Sequence, residues 1–341
     1  MLLSETNSLS MRLGNMKKIS MLLLQALLLL SMTTLQASVL DVENLNEKLT
    51  KHQTAQSIEG IITALEKHYV FPEKASLIEK ELRYKLATKA FDEISDWYSF
   101  IRQINPIMRH VSGDMYLDIV ETTPLFIINK AQHKLGSRNN FGIENVSVLS
   151  GNVGYFKLKS FYQNTKAEVE VFRTLEELSK VDALIIDLRN VEGESISLAQ
   201  YLISFFVEEG TILSEVLYDK SNKRKILRAT ENNGNDKFKH NFPIYILTSS
   251  FLSSSGEFIS YTLKHLNKAV IVGEETMGVS YVVQKQKIND YISINMPIAI
   301  PLHPATHSNW EKTGVVPDVD TTAHLSLDIA HKMAKKYLGV F

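Results

Sequence analysis

The sequence predicts an α/β protein, a small helical unit followed by a core on a largely parallel sheet, and two patterns predict it. Over residues 57–109 the apolar positions recur at helical spacing: Ile58, Ile61, Ile62, Leu65 and Tyr69, then Leu77, Ile78, Leu82 and Leu86, then Trp97, Phe100, Ile101 and Ile104. Beyond Val111 short β-rich runs alternate with helical stretches, as in α/β units. At 341 residues the chain is long enough for about two folding units.

Taken in order, the chain opens on a segment of different grammar. From Met16 it reads MKKISMLLLQALLLLSMTTLQAS, a basic end, an apolar stretch and a small-residue exit at Ala37–Ser38. That is the pattern of an export signal over residues 1–37, with Met16 as a candidate true start. The apolar run is too short for the roughly 20 residues of a membrane span. We therefore expect a periplasmic or secreted protein without a stable span once the signal is removed.

Residues 45–112 form the expected helical domain, of three helices, with Pro72 and Asp96 as helix-start signals. Residues 113–341 form the expected core. Its strands are expected at 116–120, 125–128, 146–149, 153–158, 183–188, 244–247 and 269–272, and its helices near 165–178, 196–206 and 256–266. The run 183–188 is almost continuously apolar, as in a strand covered on both faces. Residues 221–240, rich in Lys, Arg, Asn and Asp, read as a hairpin or an exposed excursion.

Composition limits the chemistry. Lys plus Arg number 37 against 38 Asp plus Glu, which gives no electrostatic case for nucleic acid. There is no cysteine, so thiol nucleophiles, thiolate metal sites and disulfides are excluded. No histidine spacing suggests a metal site, and no cofactor is expected.

Three segments can carry chemistry. The first, 249–258, runs SSFLSSSGEF between a strand and a helix, where a serine hydroxyl can stand beside backbone N–H groups that stabilise an oxyanion. The plainer reading is a capping box, Ser254-x-x-Glu257. The second, DLRNVEGES at 187–195, leaves a strand through a glycine turn that can aim an N–H at developing negative charge, or that simply needs glycine's φ. The third, NWEKTGVVPDV at 309–319, follows the pair His303 and His307 and offers either a carboxylate that orients a base or a loop anchored by Trp310.

The order of these segments resembles the C-terminal-processing (tail-specific) serine peptidase family, in particular its branch similar to interphotoreceptor retinoid-binding protein. LEKHYVFPEKASLIEKELRYKL and HVSGDMYL resemble that branch's helical N-terminal domain. GNVGYFKLKSF, DLRNVEG, LTSSFLSSSGEF, IVGEETMG and NWEKTGVVPDV follow in the family's order. The resemblance implies a crotonase-like spiral core, with too few residues between Asp118 and Gly151 for the PDZ domain of many relatives. It also implies a peptide or protein substrate and says nothing about oligomeric state.

Carried over by position, the resemblance makes Ser254 the nucleophile, the N–H groups of Ser255 and Gly193 the oxyanion hole, and Glu311 the orienting carboxylate. The usual base is absent. The lysine that should follow GEETMG is Val279, and the histidine of an Asp-x-His pattern is Tyr116. Glu194 stands where a second glycine is common. Tyr116 with a lowered pKa, Lys157 projecting from its strand, or His110 after a register shift are the candidate substitutes. The function expected is an exported serine-type peptidase acting through an acyl-enzyme; the alternative is an inactive family member that binds a peptide tail or an apolar ligand.

Overall fold

The computed structural model describes residues 48–122, 140–218, 223–232 and 236–340. The export signal and the strand expected at 125–128 lie outside them. Among the described residues no helix is long and apolar enough to cross a membrane.

Three helices come first. α1 (Lys51–His68) opens on a reciprocal cap between Thr50 and Gln53, α2 (Pro72–Ala87) starts at Pro72, and α3 (Trp97–Ser112) is capped by Asp96, whose carboxylate accepts from Ser99 N–H. α3 ends at Gly113, in the left-handed region at φ 61°. Their buried faces, including Ile58, Ile78, Leu82 and Phe100, do not close on one another alone. Leu117, Ile119, Ile292, Ile294 and Met296 complete that core.

Ile119, Ile292, Ile294 and Met296 belong to an antiparallel sheet that the sequence reading did not anticipate. It contains β1 (Asp118–Glu121), β5 (Ile212–Tyr218), β6 (Lys223–Arg228), β9 (Val282–Lys287) and β10 (Ile292–Leu302). β10 pairs with β1 along its first half, with β5 along its second, and with β9 on the way, with a register shift between Pro297 and Ala299. Within 221–240, for which a hairpin or an exposed excursion was expected, Lys223–Arg228 forms β6, paired antiparallel with β5.

The other sheet is the expected one. Its six strands run in the order β11 (Val319–Asp320), β8 (Val270–Gly273), β7 (Ile244–Thr248), β4 (Ala183–Asp187), β3 (Val153–Leu158) and β2 (Ile143–Leu149), parallel except for the β2–β3 pair. Every residue of β4 and β7 is buried, because helices cover both faces. Phe156, Leu158, Ile186 and Ile246 face one core with α4 (Thr165–Glu177), α5 (Ile196–Ile203) and α6 (Ser254–His265). Val153, Tyr155, Ile185 and Leu247 face the other, beneath α7 (Ser326–Leu338), a helix the sequence reading missed.

Candidate active site

In a parallel sheet, functional groups collect in the loops beyond the carboxyl ends of the strands. Here β4 and β7 are neighbours, and the loops leaving them meet: Leu188 N–H donates to Leu247 O, and the Ser249 hydroxyl to Arg189 O. From the second loop the chain enters α6 at Ser254, a non-glycine residue at φ 48°. Left-handed backbone at a side-chain-bearing residue costs of order 1 kcal/mol and marks a place worth explaining.

The capping-box reading accounts for only half of what is found. Glu257 does reach back, accepting from Ser254 N–H at 3.0 Å. Ser254 does not reciprocate: Ser253 occupies the N-cap position without a side-chain bond, and the Ser254 hydroxyl has no hydrogen-bond partner among the described residues. The hydroxyl is unspent and lines a cleft.

Glu257 instead serves as a clamp. Fully buried, its carboxylate also accepts from the Thr276 hydroxyl and from Gly278 and Val279 N–H, at 2.7 and 2.9 Å for the two backbone donors. Burial pushes its carboxyl up, and these donors pull the other way. One side chain thus joins the head of α6 to the 274–280 segment.

The proposed oxyanion donors are held together by a second bond. Ser255 Oγ, completely buried, accepts from Ser195 N–H at 2.9 Å, and so ties the head of α6 to the turn that contains Gly193. Gly193 sits at φ 79°, and a Cβ there would lie 2.9 Å from Phe161 O. That position therefore needs glycine for both φ and space.

Glu311 follows Trp310, which lines the cleft. Trp310, buried and bonded through Nε1 to Val279 O at 3.0 Å, fixes its loop, so the anchor and the carboxylate are adjacent residues rather than alternatives. Glu311 accepts from Tyr116 Oη at 3.2 Å and from both N–H and Oγ of Ser280. Tyr116 also reaches Gly278 O at 3.4 Å.

The candidate bases must be corrected. Serving as base required a lowered Tyr116 pKa, but burial and then the Glu311 charge push its phenol well above the usual tyrosine range. It is a proton donor to Glu311. Lys157 lies on the face of β3 that carries Tyr155, opposite the core under α6, and its Nζ pairs with Glu144 at 2.6 Å. His110 is exposed in the last turn of α3. Val279 gives its N–H to Glu257 and supplies no base.

The cleft itself is narrow, with about 60 Å³ of free space, walled mainly by Ile196, Val216, Val282 and Trp310. A larger, open pocket of about 550 Å³ lies at the other end of β7, near Phe242 and His265, and contains no candidate nucleophile. Among the described residues no three metal-binding side chains converge. Sequence reasoning missed Ser280 and the clamping role of Glu257. The second had a signal in the capping-box spacing Ser254-x-x-Glu257, which already turns the glutamate back toward the head of the helix.

Residues 152–321 match the model of peptidase family S41. The chloroplastic carboxyl-terminal-processing peptidase 2 of Arabidopsis thaliana is 28% identical over 170 residues, 50% of this chain and 32% of that protein. The chain spans about a third of the length of the curated relatives it matches. A putative peptidase from Parabacteroides merdae superposes with a TM-score of 0.57 at 15% identity, over 84% of this chain and 96% of that one. A lipoprotein from Streptococcus agalactiae does so with a TM-score of 0.58 at 15% identity, over 83% and 96%. At that identity the two structures speak to the fold, which is the α/β fold of the family's solved members. Through residues 152–321, this chain belongs to peptidase family S41.

Proposed function

We propose that the chain is a serine-type peptidase of the C-terminal-processing kind, exported to the periplasm or beyond, and acting on peptide or protein chains through Ser254. The observation that carries the reading is the unspent Ser254 hydroxyl, on a left-handed residue at the head of α6, with Gly193 and Ser255 tied beside it. In this reading Ser254 Oγ attacks the scissile carbonyl carbon. The oxyanion takes up hydrogen bonds from Ser255 and Gly193 N–H, the amine leaves with a proton, and water releases the acyl group.

The weak step is deprotonation of the nucleophile. Tyr116 keeps its proton, so the proton on Ser254 Oγ passes to water in the cleft. Acylation is then slow and rises with pH without a histidine inflection. Glu311, with Ser280 and Tyr116, orients the far wall.

The same reading includes a helical domain over 45–112, a core of the crotonase-like kind over 113–341 without a PDZ insertion, and kinship with the branch resembling interphotoreceptor retinoid-binding protein. The Met-Lys-Lys segment at Met16 supports export. A second reading, a non-catalytic relative that binds a peptide tail or an apolar ligand, is favoured by the lack of any base bonded to Ser254. A fluorophosphonate probe separates the two. Labelling of the wild type, carried by the Ser254 peptide in mass spectrometry and lost in Ser254→Ala, supports the peptidase; a folded wild type that stays unlabelled at alkaline pH supports the binder.

A further inference from the structure

We propose that Glu194 makes the cleft selective for a chain that presents a lysine or arginine side chain next to the bond held at Ser254. This rests on Ser254 being the group against which the chain is held.

Glu194 and Ser254 line the same cleft, and no lysine, arginine or histidine lines it. Among the described residues that line the cleft, Glu194 alone carries a charge at neutral pH. Among the described residues its carboxylate is held by no hydrogen bond and no ion pair, unlike Glu257 and Glu311, whose oxygens are filled by donors. An exposed carboxylate at the mouth of an apolar slot has a definite complement. The walls from Ile196, Val216, Val282 and Val283 suit a thin aliphatic stem, and the free space is too small for a bulky aromatic group. Lysine and arginine carry such a stem with a cationic end that can stay at the mouth. An acidic side chain would meet like charge there, reinforced by exposed Glu192 in the same turn.

The position of Glu194 also links recognition to reactivity. It directly follows Gly193, the proposed oxyanion donor, so its unpaired charge opposes the negative charge that develops on the carbonyl oxygen. A cation drawn to Glu194 cancels that opposition when the chain is in place. Interactions gained as charge develops accelerate the reaction as well as strengthening binding.

The test uses two readouts. Ser254→Ala protein is titrated with three fluorescent peptides that differ at one residue, lysine, norleucine or glutamate. Wild type is reacted with peptidyl diphenyl phosphonates bearing the aminobutyl, butyl or carboxyethyl side chain. At low ionic strength the lysine peptide should bind about fivefold tighter than norleucine and glutamate weakest, with the order compressed by salt. Glu194→Gln should remove the lysine advantage in binding and in phosphonate reaction rate. Equal affinities for lysine and norleucine, or a preference that survives Glu194→Gln, overturn the proposal. If no phosphonate reacts but the charge order holds in binding, the serine reaction fails and the selectivity stands; reaction without charge order means the reverse.

Discussion

On one bank of the cleft Ser254 N–H is held by Glu257 and Ser255 Oγ by Ser195 N–H, two residues after Gly193, and the Ser254 hydroxyl is left unengaged. On the other bank Tyr116, Ser280 and Glu311 satisfy one another completely, every hydroxyl donating into the carboxylate. Under the proposed function the first bank is the acyl-transfer side, and the second holds the carboxylate that would orient a base, with the Tyr116 phenol bonded to it instead. On that reading the comparison teaches that scaffold and proton transfer are separable: among the described residues the strained turn, the tied loops and the clamp are present without a base bonded to Ser254.

The clamp between the banks is the most demanding element to test. Glu257→Ala leaves the buried Thr276 hydroxyl and Gly278 N–H, with the partly buried N–H groups of Ser254 and Val279, without their acceptor, and should cost about 4 kcal/mol in denaturant unfolding. A loss under about 1 kcal/mol would mean that water replaces the carboxylate and that the banks are not joined through it.

Acid should loosen the far bank. His303 is buried, its Nε2 has no partner among the described residues, and burial pushes its pKa down to about 4. The unfolded chain takes up this proton first. The stabilising contribution is therefore complete above about pH 6.5 and lost as pH falls through about 4, roughly 3 kcal/mol in all. His303 packs against Tyr261, which packs against Trp310, so fluorescence of the Trp310 environment should change across that window. His303→Phe should flatten the pH dependence of unfolding between those limits, and an unchanged slope would refute the assignment.

Converting the far bank is the direct test of the comparison. Tyr116→His places an imidazole against Glu311 and should raise the fluorophosphonate labelling rate about a hundredfold, with an inflection near neutral pH. No gain in a folded variant would show that position 116 does not face the nucleophile. The smallest effect is expected at Lys157. Replacing it with Met removes a partly exposed pair with Glu144 and should change stability by less than about 1 kcal/mol while leaving labelling intact. Loss of labelling would reopen its candidacy.

What could be read from the sequence was what is local. The run 183–188 and the turn at 249–258 carry their own signals, apolar continuity and a serine-rich helix start, and the structure has β4 and the head of α6 there. β10 was hidden although Ile292, Ile294 and Met296 alternate with polar neighbours, because Pro297 and Pro301 argue against a central strand. At Pro297 the ladder with β9 shifts register before Ala299, and at Pro301 β10 pairs with β5 alone. Lys157 shows a different limit. Alternation correctly turned it away from Phe156 and Leu158, but only the packing of α6 tells which face of the sheet looks toward Ser254. At Tyr116 the identity of the missing base was legible, whereas its proton-donating role depends on Glu311, a residue far along the chain.

The pairing of Asp118 with Asn295 has a kinetic side. The apolar faces of α1, α2 and α3 are finished by Ile292, Ile294 and Met296 from β10. During synthesis α1, α2 and α3 can pack on one another, but the strand that closes their core follows only after most of the described residues have been made. Contacts this distant in sequence slow folding. The amino-terminal helices should therefore be among the last parts of the molecule to gain protection from hydrogen exchange, although they are the first to be made.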